Sequence, residues 1–302
     1  MKYIIYISFL LSSNLYGQLD ALYSQYTFNQ FNINPAYAGS RDAMNVNLTG
    51  RSQWLGLSGA PNTQNVAINS PASNYNLAWG FDATHDQYGP YNHFSAQGAL
   101  AYRLRLERGN LHLGLRGGAY NLVLDHAQLK FREDNDQLDN QTKYSSVVPN
   151  FDFGLYYYSQ KFYAGLSINH LTASKFHFQG LNNELYHLNQ QVHLMAGYVF
   201  NLNPQILLKP TVLIRYAQPQ TISTDLNANF MFYQRFWLGI GTRNLNSLNF
   251  LGDLYVTDYL RIGYSYDMTL TELQKFANGS HEILIGFDFN VKKPIVTSPR
   301  YL

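Results

Sequence analysis

The sequence contains no cysteine, few charged residues and, beyond its start, no long apolar run. Only 13% of its 302 residues are charged, whereas ordinary soluble domains carry roughly 25%. The lack of cysteine excludes a disulfide framework and the lipid attachment site of a lipoprotein. After the first residues, no apolar run approaches the ~20 residues that a membrane-spanning helix needs. If the chain spans a membrane, it must therefore do so with strands.

Aromatic residues and glycine are abundant in place of charge. The chain has 25 Tyr, 19 Phe and 22 Gly, with a mean hydropathy of −0.26. This composition is typical of a transmembrane β-barrel, which has an apolar outer face, a polar lumen and aromatic girdles at both interfaces. A large secreted β-sandwich is the alternative, but it would usually carry more surface charge. The net charge of +2 is too small to indicate a nucleic-acid partner.

Residues 260–268 and 282–290 alternate between apolar and polar side chains, which is the period of a strand. One face of the second run is apolar and consists of Ile283, Ile285, Phe287 and Phe289. The opposite face is polar and consists of Glu282, Gly286, Asp288 and Asn290, with Leu284 as the exception. In a barrel, the apolar face would contact lipid and the polar face would line the lumen.

Alternating runs followed by turns recur along the chain and predict an all-β fold: a single transmembrane antiparallel β-barrel of about 14 strands. The barrel is expected to span residues 41–291 in the outer membrane. Short connections alternate with long ones, and residues 125–146 form the longest predicted loop. Since short turns face the periplasm in such barrels, both chain termini are expected there.

The ends of the chain are predicted to lie outside the barrel wall. Residues 1–17 have the positive start, short apolar core and small-residue end of a signal peptide, with cleavage expected after Gly17. Residues 18–40 form an irregular aromatic segment that is predicted to plug the periplasmic end, the alternative being a disordered lead-in. Residues 292–302 form a periplasmic tail, either a plug or a docking peptide, because its prolines cannot continue a central strand. The candidate plug residues are Asn34, Pro35, Tyr37, Gly39 and Arg300.

No motif indicates catalysis, a metal or a cofactor. The nine histidines lack metal-binding spacing. Ser, His and Asn occur together, as in a barrel phospholipase, but no local motif connects one Ser to a His. The sequence therefore predicts a protein that is not an enzyme and that has no cofactor.

A candidate partner-binding site lies where residues 51–54 lead into a loop rich in glycine and proline. Exposed Trp and Arg are enriched among the residues that dominate binding energy at interfaces. Trp54 could instead be an aromatic residue of the membrane interface. The candidate residues are Arg51, Gln53, Trp54, Gly56, Gly59 and Pro61.

Several motifs resemble those of the PorP/SprF family of type IX secretion outer-membrane proteins. At the N-terminal end they are Gln25-Tyr-x-Phe28, Asn34-Pro-Ala-Tyr-Ala-Gly39 and Arg51-x-Gln-Trp-x-Gly56 followed by Gly59-Ala-Pro-x-Thr63. At the C-terminal end they are Tyr264-x-Tyr-Asp267, Gly279-Ser-His-Glu-Ile283, Gly286 and Ser298-Pro-Arg-Tyr301. The resemblance spans nearly the whole mature chain. The region 125–186 shows only a general barrel pattern.

The resemblance implies a barrel needed for export or surface attachment of large adhesin-like proteins. Its partners would be a secreted cargo protein with a C-terminal sorting domain, other type IX secretion components and the lipid of the membrane. A porin for passive diffusion of small solutes is the alternative, since about fourteen strands lie between a filled small barrel and an open porin.

Overall fold

The computed structural model describes residues 20–72, 76–125, 143–178, 186–217 and 221–290. The predicted signal peptide, the C-terminal tail with Arg300 and the centre of the longest predicted loop lie outside these ranges. Among the residues described, no helix is long and apolar enough to cross a membrane.

The described residues form seventeen strands, which follow one another along the chain. They are β1 (Ala43–Ser52), β2 (Asn62–Pro71), β3 (Leu77–Tyr88), β4 (Tyr91–Leu106), β5 (Gly109–Asp125), β6 (Lys143–Tyr158), β7 (Phe162–Asn169), β8 (Lys175–Phe176), β9 (Tyr186–His187), β10 (Gln191–Tyr198), β11 (Phe200–Asn203), β12 (Ile206–Ala217), β13 (Thr221–Phe232), β14 (Phe236–Arg243), β15 (Ser247–Tyr255), β16 (Leu260–Thr269) and β17 (Ser280–Asn290). Within the described ranges, short 3-10 helices occur at Gln30–Asn32, Pro35–Tyr37 and Glu272–Lys275.

The strands close into an antiparallel barrel of fourteen strands with one extra strand, β11. Neighbours in sequence pair with one another, β1 pairs with β17, and β10 pairs with β12. Strand β11 adds to the edge of β12, while β8 and β9 form a separate hairpin. The predicted fold class is therefore confirmed, including the strand number.

Side chains alternate between the lumen and the outer face along each wall strand. In β17, Ile283 and Phe289 are exposed on the outer face, whereas Glu282 and Leu284 are buried inside. The exception noted in the sequence, Leu284, thus points into the lumen with the polar residues. Because the outer face contacts lipid, apolar exposure there is expected.

The two ends of the barrel differ in their connections. The end called here the short-turn end carries the turns at 107–108, 159–161, 204–205 and 233–235. The opposite end, the long-loop end, carries the connections 53–61, 170–190 and 270–279. Strand β1 begins at the short-turn end and β17 finishes there. This is the alternation of short and long connections that the sequence predicts.

Strand β6 begins earlier than predicted. The sequence predicts a loop through residue 146, but β6 pairs with β5 from Lys143 onward. Tyr144, Ser146 and Val148 are buried on its inner face. The serines at 145 and 146 interrupt the apolar–polar alternation at the start of β6. A lumen-facing position accepts polar and aromatic residues alike, so the pattern there is not visible in the sequence.

Residues 20–42 run through the inside of the barrel and are called here the lumen segment. Their two 3-10 helices, Gln30–Asn32 and Pro35–Tyr37, lie against the inner wall. The buried apolar residues of the lumen segment form one cluster with inward side chains of the wall. On the segment side these residues are Tyr26, Phe31, Ile33, Ala36, Tyr37 and Ala38.

The lumen segment starts at the long-loop end and therefore reaches further into the barrel than a plug of the periplasmic end alone would. Asp20 hydrogen-bonds to His170 and Gln191, which lie at that end on the connection after β7 and at the start of β10. The chain then descends to the short-turn end, where β1 begins at Ala43. About twenty residues can extend up to ~3.3 Å each and so span the barrel height.

The connection after β7 folds inward over part of the lumen. Its side chains Phe176, Phe178 and Leu188 are buried against inward residues of β5 and β6. On the wall these residues are Tyr120, Leu122, Leu124, Tyr144 and Val148.

Candidate functional site

Small inward residues of the wall make room for the lumen segment. A Cβ atom at Gly80 would overlap the ring of Phe31, and one at Gly114 would overlap the backbone of Ala36. Four inward alanines of β2, β3 and β4 belong to the same cluster, namely Ala67, Ala78, Ala99 and Ala101. The wall and the segment are therefore complementary in shape, which indicates a built-in part of the structure.

Asn34 fixes the middle of the lumen segment to two wall strands. Its side-chain Nδ2 donates to the carbonyl oxygens of Leu155 in β6, at 2.8 Å, and Leu166 in β7, at 3.3 Å. Its Oδ1 accepts from the backbone N–H of Ala36 at 2.9 Å, which caps the helix that begins at Pro35. Proline is favoured at the first helical position because it needs no N–H partner there.

Tyr37 and Gly39 hold the lower part of the lumen segment. The Tyr37 ring packs edge-on against Tyr156 with centroids 5.3 Å apart. Gly39 has a φ of +68°, which favours glycine, and a Cβ there would be 2.5 Å from that of Ala78. Its carbonyl oxygen accepts from Arg103 at 2.6 Å. Four of the five predicted plug residues are thus lumen residues, and Arg300 lies outside the described range.

Arg51 lies in the lumen rather than on the rim. Only 3% of its surface is exposed. Its guanidinium contacts Asp267 at 2.6 Å and Glu282 at 2.9 Å. The register of β1 and β17 sets Arg51 directly opposite Glu282. Since its charge is paired inside the barrel, Arg51 is not presented to an external partner, in contrast to the expectation from the sequence.

Glu282 clamps the lumen segment to this ion-pair cluster. Its two carboxylate oxygens accept from the backbone N–H groups of Ser24, at 2.8 Å, and Gln25, at 2.9 Å. The hydroxyl of Ser24 donates to Asp267 at 2.6 Å. Because the cluster joins β1, β16 and β17 to the segment, a change in it affects both the closing strands and the lumen filling.

Arginines also hold other parts of the lumen segment through hydrogen bonds and ion pairs. Arg116 pairs with Asp152 at 2.7 Å and donates to the carbonyl oxygens of Phe31 and Asn32. At the short-turn end, Arg41 of the segment pairs with Asp288 at 2.8 Å. Arg103 pairs with Asp42 at 2.6 Å, and Arg243 donates to the carbonyl of Tyr23 at 3.1 Å. Ion pairs at the short-turn end and arginine hydrogen bonds to backbone carbonyls above it therefore hold the segment.

The upper end of the lumen segment is held by Asp20 and His170, whose Oδ2 and Nε2 atoms are 2.6 Å apart. Burial by itself raises the pKa of Asp20, but the charge of His170 and the hydrogen bond to it lower that pKa to about 2. Burial alone would lower the pKa of His170, yet Asp20 raises it above its ordinary value. The pair is therefore an ion pair in mildly acidic solution.

The connection 53–61, called here the rim loop, is exposed at the long-loop end. Gln53 closes its base by donating its N–H to the carbonyl of Pro61 at 2.9 Å. Leu55 exchanges two backbone hydrogen bonds with residues 278 and 279 of the connection 270–279. The exposed fractions of Leu55 and Leu57 are 48% and 37%. The rim loop is thus fixed in shape while two apolar side chains remain outside.

The remaining predicted partner residues shape the rim loop. Trp54 has a φ of +46°, Gly56 of +95° and Gly59 of +73°. The backbone carbonyl of Gly59 accepts from the N–H of Gly89 in the neighbouring turn at 2.8 Å. These residues lie together in the loop, apart from Arg51. Their role in binding a partner stays a prediction.

The alternating pattern does not distinguish the carboxylates that anchor the lumen segment from other lumen-facing residues. Glu282 and Asp267 contact the segment directly, and Asp152 pairs with Arg116, which donates to it. The available signal was the scarcity of charge, because each inward acid in such a chain is expected to have a cationic partner. Within the described ranges, no group of three or more His, Asp or Glu side chains is placed to hold a metal ion.

Comparisons with known proteins agree with this architecture. Residues 15–287 match the family described as "Type IX secretion system membrane protein PorP/SprF". No curated protein sequence matches. Among solved structures, the chain is similar to the Ralstonia pickettii toluene transporter TbuX, with a TM-score of 0.50, 10% identity and coverage of 82% of this chain and 87% of that one.

Two further solved structures are similar to a lesser degree. One is the monoaromatic hydrocarbon channel CymD, with a TM-score of 0.49, 12% identity and coverage of 91% of this chain and 94% of that one. The other is the Acinetobacter baumannii outer membrane protein Omp33, with a TM-score of 0.46, 8% identity and coverage of 82% and 100%. At these identities, the similarity concerns the fold: an outer-membrane β-barrel.

Proposed function

We propose, from the premise that this chain belongs to the PorP/SprF family of type IX secretion system membrane proteins, that the barrel works through its surface. In this proposal, it assists export or surface attachment of a large adhesin-like cargo protein, which it recognises by the cargo's C-terminal sorting domain. Other components of the secretion system are further partners. The protein acts as a non-enzymatic outer-membrane component.

The observation that carries the proposal is the filled lumen. A diffusion porin needs a continuous wet path, and here the lumen segment packs into glycine and alanine positions of the wall. Ion pairs fasten that segment at both ends. The filling argues against the porin alternative and leaves the loops and rims as the parts available to partners.

The rim loop is the proposed contact for the cargo. It combines a backbone fixed by neighbouring connections with exposed Leu55 and Leu57. A rigid apolar surface binds with a small loss of conformational entropy. Trp54 lies at the start of the same loop and supports its shape or contributes to the contact.

The test is a loop variant that leaves the lumen untouched. A Leu55→Ser, Leu57→Ser double variant should reach the outer membrane at normal levels, while cargo is lost from the cell surface or shed into the medium. Leu245→Ser is the matched control, because Leu245 is an exposed leucine in another connection of the same end.

Two measurements decide the outcome: barrel abundance in the membrane fraction, and the proteins recovered with a tagged barrel. Surface cargo that is normal in the double variant but lost in Leu245→Ser would show that the rim loop is the wrong contact. A conducting wild-type barrel that recovers no secretion component would overturn the proposed function.

A further inference from the structure

A cavity of about 70 Å³ lies in the lumen between the first residues of the lumen segment and the inner wall. The wall residues belong to β3, β4, β5, β7, β10 and β12. Asp20, Ala21 and Leu22 border it and are only partly buried, so the cavity faces the long-loop end. At ~10–15 Å³ for each water-sized group, it has room for roughly five to seven such groups.

Four residues that line this cavity carry a buried polar atom without a hydrogen-bond partner in the described part of the chain. These atoms are the hydroxyl of Tyr23, Nε2 of His93, Oδ1 of Asn169 and Nε of Arg215. The exposed fractions of His93, Asn169 and Arg215 are 2%, 5% and 6%. An unsatisfied buried polar group costs about 1–3 kcal/mol, so an occupant that pairs with these atoms is favoured.

Three of these atoms limit the chemistry of that occupant. Nε of Arg215 can only donate, Oδ1 of Asn169 can only accept, and Nε2 of His93 can do either. A carboxylate or a fully ionised phosphate cannot donate to Asn169, and an ammonium group cannot accept from Arg215. Hydroxyl groups both donate and accept.

The cavity lining carries charges of both signs in equal number: two aspartates, Asp20 and Asp82, and two arginines, Arg116 and Arg215. Arg116 also pairs with Asp152 at 2.7 Å and Arg215 with Asp225 at 2.7 Å. Since neither sign is in excess, a neutral ligand is favoured over an ion of either sign.

An aromatic surface completes the site. The Tyr120 ring borders the cavity and lies 4.9 Å from the His93 ring, centroid to centroid. A flat ring beside convergent polar groups suits a ligand with both C–H and O–H surfaces. We propose that this cavity binds a neutral polyhydroxy ligand and encloses a portion of it about the size of glycerol, the ligand entering from the long-loop end.

Two sources could supply such a ligand: a free polyol or the terminal residue of a glycan. Purified barrel in a detergent without a sugar headgroup would be titrated with glycerol, a set of monosaccharides and their methyl glycosides, with ligand-observed NMR as the readout. Methyl glycosides carry a substituent where a glycan chain would continue. Binding of both forms indicates a chain terminus, and binding of the free form alone indicates a free polyol.

Two variants locate the site. His93→Phe keeps a ring beside Tyr120 but removes the unpaired nitrogen, and Ser95→Leu fills the cavity without removing a charge. Each should weaken binding at least five-fold. His281→Phe, on the outer face of β17, is the matched control and should bind as the wild type does.

The folded state of each variant would be checked by its resistance to a denaturing detergent without heating. Failure of every compound to bind the folded wild type would overturn the proposal. So would binding that His93→Phe and Ser95→Leu both leave unchanged. The result does not depend on the cargo function, because it is measured with the isolated barrel.

Discussion

The outer face and the lumen face of the same strands follow opposite rules. In β1, Val46 and Leu48 point to the lipid, while Asn47, Thr49 and Arg51 point inward. Successive residues of one strand therefore meet two different solvents. The role of a residue therefore depends less on its position along a strand than on whether its side chain points to the lipid or to the lumen. Arg51 and Trp54, only three residues apart, illustrate this: one joins an ion-pair cluster and the other the rim loop.

The largest effect is expected from Arg51→Ala. Removing one partner of a buried ion pair typically costs about 3–5 kcal/mol, because Glu282 and Asp267 would remain buried without their cation. The folded fraction in a denaturant titration should fall sharply. Trp54→Ala is the control and should unfold close to the wild type. Equal stability of the two variants would mean that Arg51 is not a lumen residue.

A charged residue on the lipid face should destabilise the barrel nearly as much as Arg51→Ala does. Ile285→Arg places a cation on the outer face of β17, and such a change costs roughly 2–4 kcal/mol at the membrane midplane. Less folded barrel should be recovered in the membrane fraction. Ile285→Met keeps the apolar character and serves as the control. If both variants assemble equally well, the assignment of faces in β17 is wrong.

Bulk on the lumen side should displace the lumen segment. Gly114→Leu would drive a side chain into Ala36, and overpacking costs typically 1–3 kcal/mol. The segment should loosen, and conductance in a planar bilayer should rise above that of the wild type. Gly98→Leu is the matched control, because Gly98 faces outward with nothing nearby to clash. A conductance that is unchanged in Gly114→Leu would indicate that the segment does not seal the barrel.

The ion pair of Asp20 and His170 should stabilise the upper end of the lumen segment by about 1 kcal/mol. This stabilisation should depend on pH. Asp20 has a lowered pKa, so its contribution is present above its ordinary pKa and is lost as the pH falls toward about 2. His170 has a raised pKa, so its contribution is present below its ordinary pKa and is lost as the pH rises through the raised value. The ion pair should stabilise the upper end of the segment most strongly between pH ~4 and ~6.5.

Thiol labelling can measure this, since the chain has no cysteine of its own. A Leu22→Cys variant should react slowly in that window and faster at alkaline pH. Adding Asp20→Asn should abolish the increase in the labelling rate of Leu22→Cys between the acidic window and alkaline pH. Only the increase that comes from the reagent's own pH dependence should remain. A Thr271→Cys variant on an exposed connection supplies that reference rate. Identical pH profiles with and without Asp20→Asn would argue against the ion pair.

Period-two alternation was enough to predict the barrel, its strand number and the faces of β17. The irregular composition of residues 18–40 indicates a plug, because it lacks that alternation. The sequence could not indicate which wall residues receive the plug or that it begins at the long-loop end. Those features depend on contacts between distant residues, such as Ser24 with Glu282. The enrichment of Arg and Trp at interfaces groups Arg51 with Trp54 at the rim, but side-chain direction changes with each residue of a strand, and Arg51 points into the lumen.

The pairing of β1 with β17 sets an order of events for assembly. Ser24 and Glu282 are separated by 258 residues, so their contact forms only when nearly the whole chain is present. Closing so long a loop is slow, because contacts distant in sequence must be found before they contribute stability. During that search, the free edges of β1 and β17 can pair with another chain. The protein is therefore most vulnerable to misassembly just before its first and last wall strands meet, and a factor that shields those edges would increase its yield.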